Sequence, residues 1–284
     1  MKKHTFHNFS ITVQGRLVEF TRPAVMGILN ITDDSFYDGG RYREPEAMLA
    51  RARQLLADGA DIIDVGASSS RPGATLIPQD EEARRLTEAI TLIRRELPES
   101  VISVDTCFAL PARAAITAGA DIINDIAGGE LDERMFQTVA ELQVPYIMMH
   151  GGREHVNHEP YLDDDRLIDS MVQFFSQRLD TLYRLGVKDV WIDPGFGFGK
   201  TVEQNHMLLD RLDELTTLFR EPLLAALSRK SMIYRPLGIT PNEALDGTIA
   251  LDAIALDRGA RIVRVHDPKP ALETIKLLSL TINH

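Results

Sequence analysis

Eight short apolar runs, at residues 24–30, 61–66, 101–106, 121–126, 145–150, 189–195, 222–228 and 260–266, each carry polar side chains at or near their downstream ends. These are Asn30, Asp64, Asp105, the pair Asn124-Asp125, His150, Asp193, the trio Ser228-Arg229-Lys230, and the group Arg264, His266 and Asp267. Carboxylates and amides of this kind suit a ligand rich in N–H donors, and the cations gathered near the run ends, Arg71, Lys200, Arg229, Lys230 and Arg264 with a protonatable His266, suit an anion. Helix capping accounts for any single Asp, Asn or Ser. It does not account for the same feature at nearly every run, so the ends read together as one site.

Three connecting segments sharpen that site. Residues 30–40 are polar and end in Gly39-Gly40, a loop able to close over a ligand. Residues 68–74 offer Ser68, Ser69, Ser70 and Arg71 on a turn-rich stretch with Pro72 and Gly73. Residues 193–201 approach the G-x-x-x-x-G-K-[ST] phosphate loop but place Pro194 where its first glycine belongs, which argues against a nucleoside triphosphatase.

The elements that must position these groups follow from periodicity. The runs are continuously apolar, as strands buried on both faces are in a parallel sheet. Between them, residues 45–59, 81–97, 131–143, 167–186, 202–219, 246–259 and 271–283 show helical spacing, with a weaker case at 110–119. Eight strand–helix units predict an α/β fold, a (β/α)8 TIM barrel, in preference to an open doubly wound sheet. The cadence Gly-Ala-Asp-Ile-Ile at 59–63 returns at 119–123, and 259–263 reads Gly-Ala-Arg-Ile-Val, marking equivalent helix-to-strand junctions. Residues 5–13 and 16–20 flank Gln14-Gly15 as a β-hairpin, so 1–22 is expected to close the barrel floor of a single domain spanning 1–284.

Composition bounds the function. Among 284 residues, 31 Lys+Arg stand against 42 Asp+Glu, a net charge of −11, with 44 % apolar residues and one cysteine. These values exclude a disordered chain and argue against nucleic acid or an anionic membrane surface as partner. No apolar run reaches a membrane span, the Met1-Lys2-Lys3-His4 start has no apolar signal core, and lone Cys107 fits a reducing compartment; a cytoplasmic protein is expected. The His150, His155 and His158 group lacks a paired zinc-ligand signature, Trp191, Phe174 and Phe175 read as ordinary core between strands and helices, and Cys107 reads as a buried apolar group.

Several signatures occur in order at these run ends: Met26-Gly-Ile-Leu-Asn-Ile-Thr, Asp34-Ser-Phe, Ser69-Ser-Arg-Pro-Gly, Ser103-Val-Asp-Thr, Ile123-Asn-Asp-Ile, Asp193-Pro-Gly-Phe-Gly-Phe-Gly-Lys, Ser228-Arg-Lys-Ser and Arg264-Val-His-Asp. Together they resemble the dihydropteroate synthase family over nearly the whole chain from Val25 onward. The resemblance implies an enzyme of folate biosynthesis that joins 6-hydroxymethyl-7,8-dihydropterin diphosphate to p-aminobenzoate, releases diphosphate and forms a homodimer. It implies that Asp105, Asn124 and Asp193 hold the pterin and Lys230 reaches its carbonyl and ring nitrogen, within apolar walls from Ile28, Ile126, Met149 and Phe198. Arg264 is implied to stack on the ring and, with His266 and Asn30, to face the diphosphate. Asn30 is also the implied Mg²⁺ ligand, alongside phosphate oxygens and waters. Ser70, Arg71, Pro72, Phe198 and Ser231 are implied to form a p-aminobenzoate pocket that sulfonamides imitate. Arg229 joins the anion-facing group, and Asp38 belongs to the closing loop.

Four positions depart from the family's usual residues: Asp33 for proline, Ser68 for glutamate, Ser70 for threonine and Ala226 for glycine. The first loosens the closing loop, and the added methyl at 226 crowds the pterin wall. Ser68 and Ser70 together are expected to alter p-aminobenzoate and sulfonamide affinity. A pterin-dependent methyltransferase serving a corrinoid protein is the rival among enzymes, and a catalytically dead pterin-binding regulator the rival outside them.

Overall fold

The computed structural model describes residues 8–31, 43–68, 77–151 and 166–282. The chain opens with an antiparallel hairpin, β1 (Phe9–Val13) and β2 (Arg16–Phe20), in register from Phe9 against Phe20 to Val13 against Arg16. Eight parallel strands follow: β3 (Ala24–Asn30), β4 (Ile62–Gly66), β5 (Val101–Asp105), β6 (Ile122–Asp125), β7 (Tyr146–Met149), β8 (Val190–Asp193), β9 (Leu224–Ala225) and β10 (Ile262–Val265). They pair in the order β8-β7-β6-β5-β4-β3-β10-β9, and a parallel bridge between Ile192 and Leu223 joins the two edges. That joint closes the barrel and removes the open doubly wound sheet.

Helices connect the strands: α1 (Arg43–Ala57), α2 (Gln79–Glu96), α3 (Ala109–Ala118), α4 (Met135–Leu142), α5 (Leu167–Arg184), α6 (Val202–Asp210), α7 (Leu212–Leu218), α8 (Ser231–Leu237), α9 (Leu245–Asp257) and α10 (Pro268–Ile282). The helix expected over 202–219 is two, broken at Arg211, and the short α8, with Pro236 inside it and Gly238 capping its end, adds a helix to those expected from periodicity. Among the described residues no helix is long and apolar enough to cross a membrane.

The barrel bottom is filled from below. Met26, Ile62, Val101, Ile122, Ile147, Trp191, Leu224 and Ile262 form one cluster with Ile11, Val13 and Phe20 of the hairpin. Phe9 stacks on Phe20 at 4.7 Å, and Trp191 meets Phe9 edge-on at 5.6 Å. Trp191 therefore lies inside the barrel on its plug, not in the layer between strands and helices that holds Phe175. Each large side chain buried this way contributes roughly 1.5–3 kcal/mol, which is how ten hairpin residues can seal a floor.

The repeated Gly-Ala-Asp junctions are structural. Asp61 accepts from the Val25 amide at 2.8 Å and pairs with Arg22, while Asp121 accepts from the Ile102 amide at 2.8 Å and pairs with Arg94. Each aspartate thereby ties the start of a neighbouring strand.

Asp252 on α9 is an outlier, 1 % exposed, with Oδ1 buried and unpartnered. Burial pushes its carboxyl well above the usual range. A raised carboxylate pKa supports the fold fully below the unfolded value near 4, and that support is lost as pH rises. Asp252→Asn is expected to stabilise the protein by about 1–3 kcal/mol at pH 8 and to leave it unchanged near pH 4, as thermal unfolding at the two pH values will check.

Candidate active site

Side chains on a strand alternate, so the inward set climbs in steps of two from the floor. Above Met26, Ile62, Val101, Ile122, Ile147, Trp191, Leu224 and Ile262 come Ile28, Asp64, Ser103, Asn124, Met149, Asp193, Ala226 and Arg264. One step higher, β3, β4 and β5 end at Asn30, Gly66 and Asp105, while Ser228 and His266 follow the ends of β9 and β10. An apolar floor gives way within one step to a polar tier.

Arg264 organises that tier. Its Nε donates to Asp64 Oδ2 at 2.6 Å and its Nη2 to Asp105 Oδ2 at 2.6 Å, while Asn124 Nδ2 donates to Asp64 Oδ2 at 3.1 Å. Burial pushes Asp105 up to about 7; Arg264 opposes the rise and Asp64 adds to it. Burial works against the Arg264 charge too, but the two carboxylates hold the guanidinium charged. One cation between two anions leaves remaining lone pairs and N–H groups for a ligand in a water-poor site.

The loop after β8 supplies the opposite wall. Asp193 Oδ1 accepts from the Gly195 amide at 2.7 Å, and burial raises its carboxyl against the pull of Lys230. Lys230 Nζ donates to the Phe196 carbonyl at 2.5 Å and sits 4.5 Å above the Phe198 ring. Burial lowers its ammonium to about 7, with Asp193 resisting. Asn205 on α6 braces the loop, accepting from the Gly197 amide at 2.7 Å and donating to the Thr201 carbonyl at 2.6 Å. At Gly151 an added Cβ would lie 2.8 Å from Met149 Cε, 3.1 Å from Phe198 Cβ and 3.7 Å from the Ile126 carbonyl, so those three residues gather around one point.

The remaining candidates divide. A Cβ at Gly66 would lie 3.6 Å from Asn30 Oδ1 and 3.7 Å from Asp105 Oδ2, so Asn30 and Asp105 flank it on the rim. His266 Nδ1 lies 2.9 Å from Ser228 Oγ; burial, with Arg264 and Arg229 nearby, lowers its ring to about 4 and leaves it neutral at pH 7. Arg229 has φ +57° and turns away, its Nε and Nη2 donating to Asp267 Oδ2 at 3.0 and 2.8 Å. That left-handed turn lets the next residue, Lys230, face the Asp193 side. Ser231 opens α8 just beyond. Lys200 Nζ donates to the carbonyls of His150, Gly195 and Phe198. The cation cluster read from the sequence therefore thins to Lys230 and Arg264 among the described residues.

Asp125 and His150 do not join the mouth. Asp125 accepts from the Ala127 and Gly129 amides and from the Tyr146 hydroxyl at 2.6 Å, shaping the turn after β6. The His150 ring packs edge-on against Phe174 at 4.9 Å, outside the inward set. Ser70, Arg71, Pro72, Asp33, Asp38, His155 and His158 lie outside the described residues. Sequence reasoning placed Asp64 among the site's strand-end groups without a specific role and gave none to Ser103 or Asn205. Inward parity of Asp64 and Ser103 with the floor residues was the available signal.

An acceptor-rich polar tier with a guanidinium, facing a buried lysine across an apolar wall, can grip a flat, N–H-bearing heterocycle. Comparison with known proteins agrees. The family model described as pterin binding enzyme matches residues 26–266. A dihydropteroate synthase of Streptococcus pyogenes serotype M3 is 42 % identical over 269 residues, 93 % of this chain and 98 % of that one. The Xanthomonas albilineans dihydropteroate synthase solved with 4-aminobenzoic acid superposes with a TM-score of 0.88 at 35 % identity, over 96 % of this chain and 97 % of that one. The Coxiella burnetii enzyme in complex with pteroic acid gives 0.86 at 33 % identity, over 96 % and 98 %. With the match running through every strand end that builds the mouth, the chain belongs to the dihydropteroate synthase family of pterin-binding enzymes.

Proposed function

We infer that the barrel mouth performs the reaction for which the family is named: 6-hydroxymethyl-7,8-dihydropterin diphosphate and p-aminobenzoate give 7,8-dihydropteroate and diphosphate. The observation that carries this reading is the convergence of Asp105, Asn124, Arg264, Asp193 and Lys230 above a sealed apolar floor. In this reading the pterin's N–H edge lies against Asp105, Asn124 and Asp193, and Lys230 donates to its carbonyl and ring nitrogen. Ile28, Ile126, Met149 and Phe198 wall the ring, and the Arg264 guanidinium covers a face. A neutral His266 hydrogen-bonds to the diphosphate without adding charge.

The C–O bond to diphosphate breaks with its electron pair leaving on the diphosphate, and the arylamine nitrogen forms the new C–N bond to the pterin methylene, then sheds a proton. An arylamine is unprotonated at neutral pH, so no strong base is required. The chain's own residues hold the departing charge and exclude water, the two effects on which the rate rests. Ser70, Arg71, Pro72, Phe198 and Ser231 are proposed to receive p-aminobenzoate, and Asp38 to act in the closing loop.

For Mg²⁺ the fit is partial but chemically sound. Asn30 Oδ1 and Asp105 are hard oxygen donors flanking Gly66, and among the described residues no group of three His, Cys, Asp or Glu could hold a metal without help. Mg²⁺ takes most of its ligands from substrate phosphates and water, so Asn30 with a bound diphosphate suffices. When bound, the ion would neutralise charge on the leaving diphosphate. On the family's pattern the chain is proposed to act as a single domain and as a cytoplasmic homodimer.

Diphosphate release is expected only when pterin diphosphate, p-aminobenzoate and Mg²⁺ are all present. A coupled diphosphate assay omitting each in turn checks this. Methyl transfer to a corrinoid cobalt, or pterin binding without release, would instead favour one of the rival readings.

A further inference from the structure

We propose that Asp64, a residue with no assigned part in the reaction, is the positioning residue of the pterin site. It rests on the pterin-site reading above and deepens it.

Asp64 is wholly buried on β4. One of its oxygens, Oδ2, receives both Asn124 Nδ2 at 3.1 Å and Arg264 Nε at 2.6 Å, and Arg264 in turn holds Asp105 at 2.6 Å. Three ligand-facing side chains from β5, β6 and β10 are thus linked through one carboxylate that faces the same interior. The link fixes more than distance. Because Asn124 spends an N–H on Asp64, its carbonyl oxygen is turned away from that carboxylate and is the acceptor left for a ligand N–H. Arg264, held by Nε and Nη2, keeps its plane set by two carboxylates and retains its remaining N–H groups. Asp105 keeps Oδ1 for the ligand while Oδ2 is occupied.

The arrangement is poorly explained as a stability device. Asp64 Oδ1 is buried with no partner, and so is the hydroxyl of Ser103, which occupies the strand-paired position beside it on β5. Buried unpartnered polar atoms cost stability, and buried ion pairs are weak evidence for stabilisation. A fold that needed only packing here would do better with apolar side chains, as the tier below has. The carboxylate is explained by the orientation it imposes on its neighbours.

The test compares wild type with Asp64→Asn and Asp64→Ala. Pteroic acid binding is measured by calorimetry, and KM is measured for each substrate with the other saturating. Loss of the link is expected to weaken pteroic acid binding and raise the KM for pterin diphosphate by about tenfold or more, the scale of one charged hydrogen bond. The KM for p-aminobenzoate is expected to move by less than about twofold, a split that general loosening of the fold would not produce. Equal pteroic acid affinity in a folded variant, parallel changes in both KM values, or failure of both variants to fold overturns the proposal. Absence of pteroic acid binding to wild type would instead overturn the pterin-site reading itself.

Discussion

Lys230→Met is expected to lower kcat/KM for the pterin diphosphate by about 10²–10³-fold while raising the stability of the protein at neutral pH. The activity loss follows from removing the cation beside Asp193, with Nζ already directed inward by its bond to the Phe196 carbonyl. The stability gain follows from linkage. Burial lowers the Lys230 ammonium to about 7 from an ordinary value near 10.4. A base depressed in this way supports the fold only above its unfolded pKa, and that support drains away as pH falls towards the folded value. The variant should therefore match wild type near pH 10, gain on it as pH falls, and hold a constant advantage below pH 7. Chemical denaturation at pH 6, 8 and 10 reads this directly. In wild type, kcat/KM should also decline above about pH 7 as the ammonium deprotonates, and Lys230→Arg should carry that decline to higher pH. Reduced stability at pH 6 together with retained turnover would show that Lys230 is a structural cation.

The site's vertical order was legible in the sequence because strand parity needs no knowledge of the fold. Met26, Ile28 and Asn30, or Ile262, Arg264 and His266, are spaced two apart, and each trio runs from floor to rim. The horizontal order was not legible. Arg264 meets Asp64 across 200 residues and Asp105 across 159, contacts made only when β10 closes against β3. Arg264 was accordingly read as free to face an anion, when it is already shared between two carboxylates. The same blindness applies to Lys200 and Arg229, whose partners are carbonyls and Asp267. Counting cations near strand ends overstates the positive charge of the mouth, since half of the described ones brace loops. Trp191 misled for a related reason: its parity placed it inward, but an aromatic in a strand is ordinarily read as wall, and only the hairpin beneath shows that it is floor.

Gly195→Ala is expected to destabilise the protein by about 3 kcal/mol or more and to abolish pterin binding at temperatures where the chain stays folded. Gly195 has φ +69°, a region that costs an L-residue roughly 1–2 kcal/mol, and an added Cβ would lie 2.0 Å from the His150 carbonyl oxygen and 3.0 Å from its carbon. Those are backbone atoms at the end of β7, so relief requires the loop after β8 to move as a unit. That loop carries much of the wall: the Gly195 amide bonds Asp193, the Phe196 carbonyl receives Lys230, and Phe198 underlies the ammonium. Lys200 fastens the same segment to His150, Gly195 and Phe198, and Asn205 fastens Gly197. A shift of even an ångström would separate the lysine from its carboxylate and widen the gap between Met149 and Phe198. Gly197→Ala is the graded control: at φ +79° the nearest atoms to its Cβ would all belong to the Lys230 side chain, Cδ at 3.1 Å the closest, and that flexible chain can give way. It should cost less stability while still weakening the pterin diphosphate, because the group that yields is the lysine itself. Thermal unfolding and pteroic acid titration of the two variants separate backbone collision from side-chain displacement. Equal stability for Gly195→Ala and wild type would mean that the loop tolerates the collision, and the wall would then owe its position to Asn205 and Lys200 alone.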